Sequence, residues 1–123
     1  KPALQKAARE ACEALARETA DGGPAVLMGL PWGESPFVYN AVALLNGGRI
    51  EAVRYKINLP NYGVFDEKRV FAPGPIPSPM QFRGISLGVP ICEDIWEEEV
   101  CEALVQAGAE ILIVPNGSPY WMV

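Results

Sequence analysis

A chain of 123 residues is the size of one ordinary domain, and with 50% hydrophobic residues it has the material for a buried core. Its 10 Lys+Arg against 15 Asp+Glu give a formal charge of -5, with no basic tract dense enough to neutralise a run of phosphates, so nucleic acid is not expected as a partner. No uninterrupted apolar run approaches the ~20 residues of a membrane-spanning helix, and "KPALQKAARE" reads as an amphipathic helix rather than a signal peptide, so a cytoplasmic protein with no membrane partner is expected.

From Pro2 to about Thr19, Ala3, Leu4, Ala7, Ala8, Ala11, Cys12 and Leu15 recur at helical spacing between charged residues, and Asp21-Gly22-Gly23 stops the pattern. Residues 25–32 (AVLMGLPW) read as a buried strand, 37–46 (FVYNAVALLN) as a second and 49–58 (RIEAVRYKIN) as a third. The "NGG" between the last two is a strong hairpin signal. Residues 59–79 are too rich in Pro and Gly for one regular element, and a loop of about 20 residues in a compact domain is more often functional than passive. Strand character resumes over residues 81–92, with Arg83-Gly84 as a turn within it. A helix is expected from about Trp96 to Gln106, closed by Gly108, and a short apolar strand over residues 110–117. This alternation predicts α/β architecture, and the hairpin makes part of the sheet antiparallel. Neither G-x-G-x-x-G nor a Walker A pattern occurs to cradle a nucleotide. The chain has no initiating Met and stops just after an apolar stretch, so both ends are expected to be cuts within a longer polypeptide.

The cysteines Cys12, Cys92 and Cys101 are odd in number and form no C-x-x-C pair, which fits free thiols in a reducing compartment. Histidine is absent, so thiol chemistry here needs a base other than imidazole, and no His-based metal site can be built. Cys92 stands where a buried strand ends and a helix is about to begin, a junction that exposes a side chain at the sheet edge beside backbone N–H groups. The alternative for any free cysteine is a small buried hydrophobe, and Cys12 and Cys101, within helix patterns, are read that way. Lys56 ends the third strand, where an ammonium can stabilise a thiolate or an oxyanion; the alternative is a solvated strand-end lysine. Asp66 to Arg69 read as an exposed charged face, and Glu93 and Asp94 as acids complementing a helix dipole.

Three blocks then alter this reading: "YKINLPNYGVFDEKRVFAPG", "GVPICEDIW" and "AGAEILIVPNGSPY". Together they closely resemble the amidase domain of the glutamine-dependent NAD(+) synthetases, a branch of the nitrilase or carbon-nitrogen hydrolase superfamily, and "LPNYGVFDE" is characteristic of that branch. "NAVALLNGGRIEAVRYK" is similar to the strand pair that leads to the family's lysine. The resemblance spans nearly the whole chain and implies part of a nitrilase-type α-β-β-α sandwich with a mixed sheet. It also implies a Glu-Lys-Cys triad that hydrolyses the side-chain amide of L-glutamine through a Cys thiolate. The ammonia serves a separate synthetase domain that amidates deamido-NAD(+) with ATP and Mg.

On the matching positions Cys92 is the nucleophile, Lys56 polarises the tetrahedral intermediate and the backbone N–H of Glu93 shares the oxyanion. Glu67 matches a supporting carboxylate, Tyr62 a glutamine-binding tyrosine and Ser118 a substrate-contacting serine. The family's general base, a glutamate in a "PE" motif, precedes the segment matching residues 1–19. Glu10, Glu13, Glu18, Glu34 and Glu51 match no such motif, and a basic residue expected past "SPY" falls beyond Val123. Asn58 stands where many relatives carry histidine. Residues 1–123 are therefore expected to be the central part of a glutaminase domain, truncated at both ends and inactive alone, with no cofactor or metal of its own. The full-length protein is expected to be a homo-oligomer. The other readings are a nitrilase-superfamily amidase for a different small amide, and a non-catalytic oligomerisation domain.

Overall fold

The computed structural model of the chain describes residues 2–61 and 66–117. Helix α1 (Pro2–Glu18) runs into a short 3-10 turn (Thr19–Asp21). Three strands follow, β1 (Val26–Glu34), β2 (Phe37–Asn46) and β3 (Arg49–Tyr55), in an antiparallel sheet of order β1-β2-β3. Asn46 pairs with Arg49 across Gly47-Gly48, whose φ values of 63° and 85° are those of a two-residue hairpin turn open to glycine. Residues 81–92 split as expected at Arg83-Gly84 into β4 (Met80–Phe82) and β5 (Ile85–Gly88), an antiparallel pair; β6 (Ile111–Leu112) lies parallel to β5. The second sheet is thus mixed.

Strand β2 is the centre of the molecule. Its alternate residues Ala41, Ala43 and Leu45 join Cys12 and Ala16 of α1 in one buried cluster, while Val42 and Leu44 join Met80, Leu87, Val89 and Ile91 in another. The unbroken apolar run "AVALL" follows from this burial on both faces. Helix α2 (Glu98–Gln106) covers the far side of the second sheet with Val100 and Leu104. The layers therefore run α1, first sheet, second sheet, α2, the α-β-β-α arrangement expected.

Several boundaries differ from the sequence reading. Strand β1 runs two residues past Trp32, to Glu34, and β5 stops at Gly88, four residues short of Cys92. Strand β3 ends at Tyr55, three residues early. Helix α2 starts at Glu98 rather than Trp96, because Cys92–Trp96 winds as a 3-10 turn and Glu97 (φ -103°, ψ 130°) is extended. The last strand is confined to Ile111–Leu112, since its partner β5 stops at Gly88. Among the described residues no helix is long and apolar enough to cross a membrane.

Candidate active site

Pairing of β2 with β3 continues one residue past the strand, where the Lys56 N–H donates to the Asn40 carbonyl at 2.8 Å. By alternation Lys56 follows Ala52 toward the second sheet, and it is 1% exposed, which rules out the solvated strand-end lysine. An ammonium cannot be buried there without a counter-charge. Glu67 supplies it: Lys56 Nζ lies 2.7 Å from Glu67 Oε1, and Asn40 Nδ2 donates to Glu67 Oε2 at 3.2 Å. Asn40 thus holds the lysine through its backbone and the carboxylate through its side chain.

Glu67 comes from the long loop, whose described part is tied to the first sheet. Its N–H donates to the Pro60 carbonyl at 3.2 Å, Ala72 N–H to Val38 at 2.8 Å and Gly74 N–H to Lys56 at 2.9 Å. A Cβ at Gly74 would collide with Tyr55, so only glycine lets the loop return this closely. Arg54 closes the loop, donating to the carbonyls of Ser78 (2.6 Å) and Pro79 (2.8 Å). Of the charged group read as an exposed face, Asp66 and Arg69 do form a surface pair at 2.9 Å, but Glu67 turns inward.

Cys92 is half-buried at the start of the 3-10 turn, with φ at 49°. A non-glycine residue in that region costs about 1–3 kcal/mol and recurs where a side chain must be presented at a sharp turn. Its N–H donates to the Pro115 carbonyl at 2.9 Å, tying the turn to the segment after β6. Cys12 is fully buried on α1, where burial pushes its thiol pKa up, and Cys101 sits on α2. Only Cys92 lies at a strand-to-helix junction.

Asp94 does act as an acid at a helix start, but of the 3-10 turn Cys92–Trp96 rather than of α2, and its role extends further. It is 1% exposed, and its carboxylate also reaches the backbone after Lys56. Oδ1 accepts from Asn58 N–H at 2.7 Å and Ile57 N–H at 3.2 Å, and Oδ2 accepts from Ile91 N–H at 3.3 Å. Burial pushes its carboxyl above the usual range, while the backbone donors and then the nearby Lys56 charge pull it back. A cavity of about 710 Å³ opens beside this turn, lined among others by Asn58, Asn61, Lys68, Glu93, Trp96 and Glu97. Both signs of charge are on its wall. The Asn58 side-chain nitrogen is buried without a hydrogen-bond partner among the described residues.

Lys56, Glu67, Cys92 and Glu93 are thereby located; Tyr62 and Ser118 lie outside the described residues. Sequence reasoning missed Asn40 and Asp94. The signal for Asn40 was present, a lone amide inside an otherwise apolar strand. Among the described residues no group of three or more His, Cys, Asp or Glu could hold a metal ion.

A buried lysine and carboxylate on a segment joined through Asp94 to a cysteine turn, within an α-β-β-α sandwich, agree with family comparison: the carbon-nitrogen hydrolase profile matches residues 2–123, and the chain belongs to that family. More particularly, it is 47% identical over 120 residues to the glutamine-dependent NAD(+) synthetase of Rhodobacter capsulatus, covering 98% of this chain and 22% of that protein. Among solved structures, the glutamine-dependent NAD+ synthetase of Acinetobacter baumannii superposes with a TM-score of 0.88 at 34% identity, over 98% of this chain and 23% of that one. The amidase of Nesterenkonia sp. AN1, solved with acrylamide added at its active-site cysteine, is 30% identical with a TM-score of 0.72, over 91% of this chain and 43% of that one. The chain thus spans about a fifth of the length of the synthetases it matches.

Proposed function

We propose that this chain carries the nucleophile and the lysine of a glutamine amidohydrolase, within a larger protein that uses the released ammonia to convert deamido-NAD(+) to NAD(+). The observation that supports it best is the buried Lys56–Glu67 pair at 2.7 Å, on the chain segment joined through Asp94 to the Cys92 turn. In this reading Cys92 Sγ attacks the side-chain amide carbon of glutamine. The carbonyl electrons move onto oxygen, and the Lys56 ammonium with the Glu93 backbone N–H stabilises the oxyanion. Collapse breaks the C–N bond, ammonia leaves with a proton from the general acid, and a Cys92 thioester remains. Water attacks the thioester to give glutamate and the free thiol. Proton transfer belongs to a glutamate in the polypeptide preceding residue 1, as the family resemblance implies.

Glu67 fixes the Lys56 side chain in a buried place, and Asn40 fixes Glu67. Tyr62 and Ser118 are assigned to glutamine binding on resemblance alone. ATP and Mg act in a separate synthetase domain, the full-length protein is a homo-oligomer, and residues 1–123 alone are inactive.

The test is ammonia release from glutamine by the full-length protein, with NAD(+) formation measured when ATP and deamido-NAD(+) are supplied. Both activities are expected. Hydrolysis of other small amides with none of glutamine would favour a different amidase of the family, and no amide hydrolysis at all would favour a non-catalytic role.

A further inference from the structure

One side chain connects the two halves of the candidate site. Asp94 lies two residues after Cys92, yet its carboxylate accepts from the two N–H groups that follow Lys56 and from the one that precedes Cys92. Ile57 and Asn58 have left the β3 ladder, and Ile91 lies beyond β5, so regular pairing does not orient these donors. We propose that Asp94 is a positioning residue, whose carboxylate sets the separation and orientation of Lys56 and Cys92; this rests on the reading of those two residues as the amide-hydrolysing pair.

The chemistry of the site calls for a carboxylate. Three N–H groups converge on it, and only a group with acceptors and no hydrogen of its own satisfies all three. An asparagine of the same shape would turn an NH2 toward at least one backbone donor, leaving that donor unpaired in a buried place. A serine would not span from Asn58 to Ile91. Through Ile91 the carboxylate caps the 3-10 turn that carries Cys92, and through Ile57 and Asn58 it also holds the segment after Lys56, a reach that complementing a helix dipole does not require. Burial of 99% of its surface also removes it from solvent, so its charge acts on its neighbours with little screening.

The experiment uses the full-length protein and the variant Asp94→Asn, with glutamine hydrolysis and amide hydrogen exchange read on both. For the folded variant kcat is expected to fall about 10²-fold, the loss that follows from small misplacement of a reacting group, with KM changed by less than about threefold. The amides of Ile57, Asn58 and Ile91 are expected to exchange slowly in the wild-type protein and to lose protection in the variant. A variant that melts earlier but keeps kcat per folded molecule would show a merely structural carboxylate and overturn the proposal. Should Asp94→Asn fail to fold, exchange in the wild-type protein decides: fast exchange at Ile57 and Asn58 overturns the bracing, and slow exchange upholds it. If the wild-type protein releases no ammonia from glutamine, the catalytic reading fails and this role fails with it. The exchange data still report independently whether Asp94 braces the two segments.

Discussion

The two sheets do different work. The first is built from strands of 9, 10 and 7 residues joined by two-residue turns, so nearly all its pairing is between chain neighbours. The second has strands of 3, 4 and 2 residues and leaves Ile111, Leu112 and Ile113 between 39% and 50% exposed. An apolar groove of about 500 Å³ also lies on this side, lined by Leu27, Leu44, Phe82, Ile85, Ile111 and Ile113 among others. Every candidate catalytic group lies where regular structure ends: Lys56 one residue past β3, Glu67 in the long loop, Cys92 between β5 and α2. A rigid, locally paired sheet supplies the platform, and side-chain bonds between segments distant in sequence build the chemistry on it.

The largest test of that division removes the lysine. Lys56→Met in the full-length protein should lower kcat for glutamine by about 10³-fold, as expected for loss of a main oxyanion partner, and should leave the Glu67 carboxylate without its counter-charge. Breaking a buried pair costs about 3–5 kcal/mol, and denaturant titration should find the lower end because Glu67 keeps its Asn40 bond and is 16% exposed. A loss of activity without any loss of stability would separate the two roles.

Core packing should respond next. Leu104, 0% exposed between α2 and β5, should cost about 2–5 kcal/mol when changed to Ala, and Leu4 of α1, 64% exposed, less than about 0.5 kcal/mol. Equal effects in a melting experiment would mean that α2 is not the covering layer described.

A smaller effect follows from Tyr55, which stacks on Tyr39 at 4.2 Å. Burial, then the hydrogen bond and charge of Glu34, push its phenol up to about 12 from 10.0. The folded protein therefore holds the phenolic proton more tightly than the unfolded chain. That contribution is complete below pH 10 and is lost as pH rises from 10 through about 12. Ultraviolet titration should show a late-ionising component that Tyr55→Phe removes, and the same variant should flatten the stability profile in that window. The smallest effect belongs to the exposed Lys6–Glu10 pair at 3.9 Å: Lys6→Ala should change stability by no more than about 0.5 kcal/mol, in contrast to the buried pair.

Legibility in the sequence follows the same division. Strand β2 begins and ends where periodicity places it, because burial on both faces writes an unbroken apolar run and Gly47-Gly48 marks its turn. Cys92 and Lys56 were legible as a thiol and an ammonium near one edge. The burial of Lys56 was not, since its partner Glu67 is 11 residues away within a loop of no regular pattern. Asp94 was legible as an acid at a helix start, but its reach to Ile57 and Asn58 was not, because those donors lie 37 and 36 residues away in sequence. The late start of α2 has the same origin: the Cys92–Trp96 turn answers to Ile57, Asn58 and Pro115, which helical periodicity does not encode. Resemblance reached Glu67 where spacing could not, and it alone supports Tyr62 and Ser118.

The central claim is that Cys92 is the thiol that attacks a glutamine-like carbonyl. The most direct measurement is intact-mass and peptide analysis of the full-length protein after treatment with diazo-oxo-norleucine, an electrophilic glutamine analogue. One adduct on Cys92, absent from Cys92→Ala and slowed by an excess of glutamine, is the predicted result. Labelling of Cys12 or Cys101 instead, or no labelling of a folded protein, would contradict it.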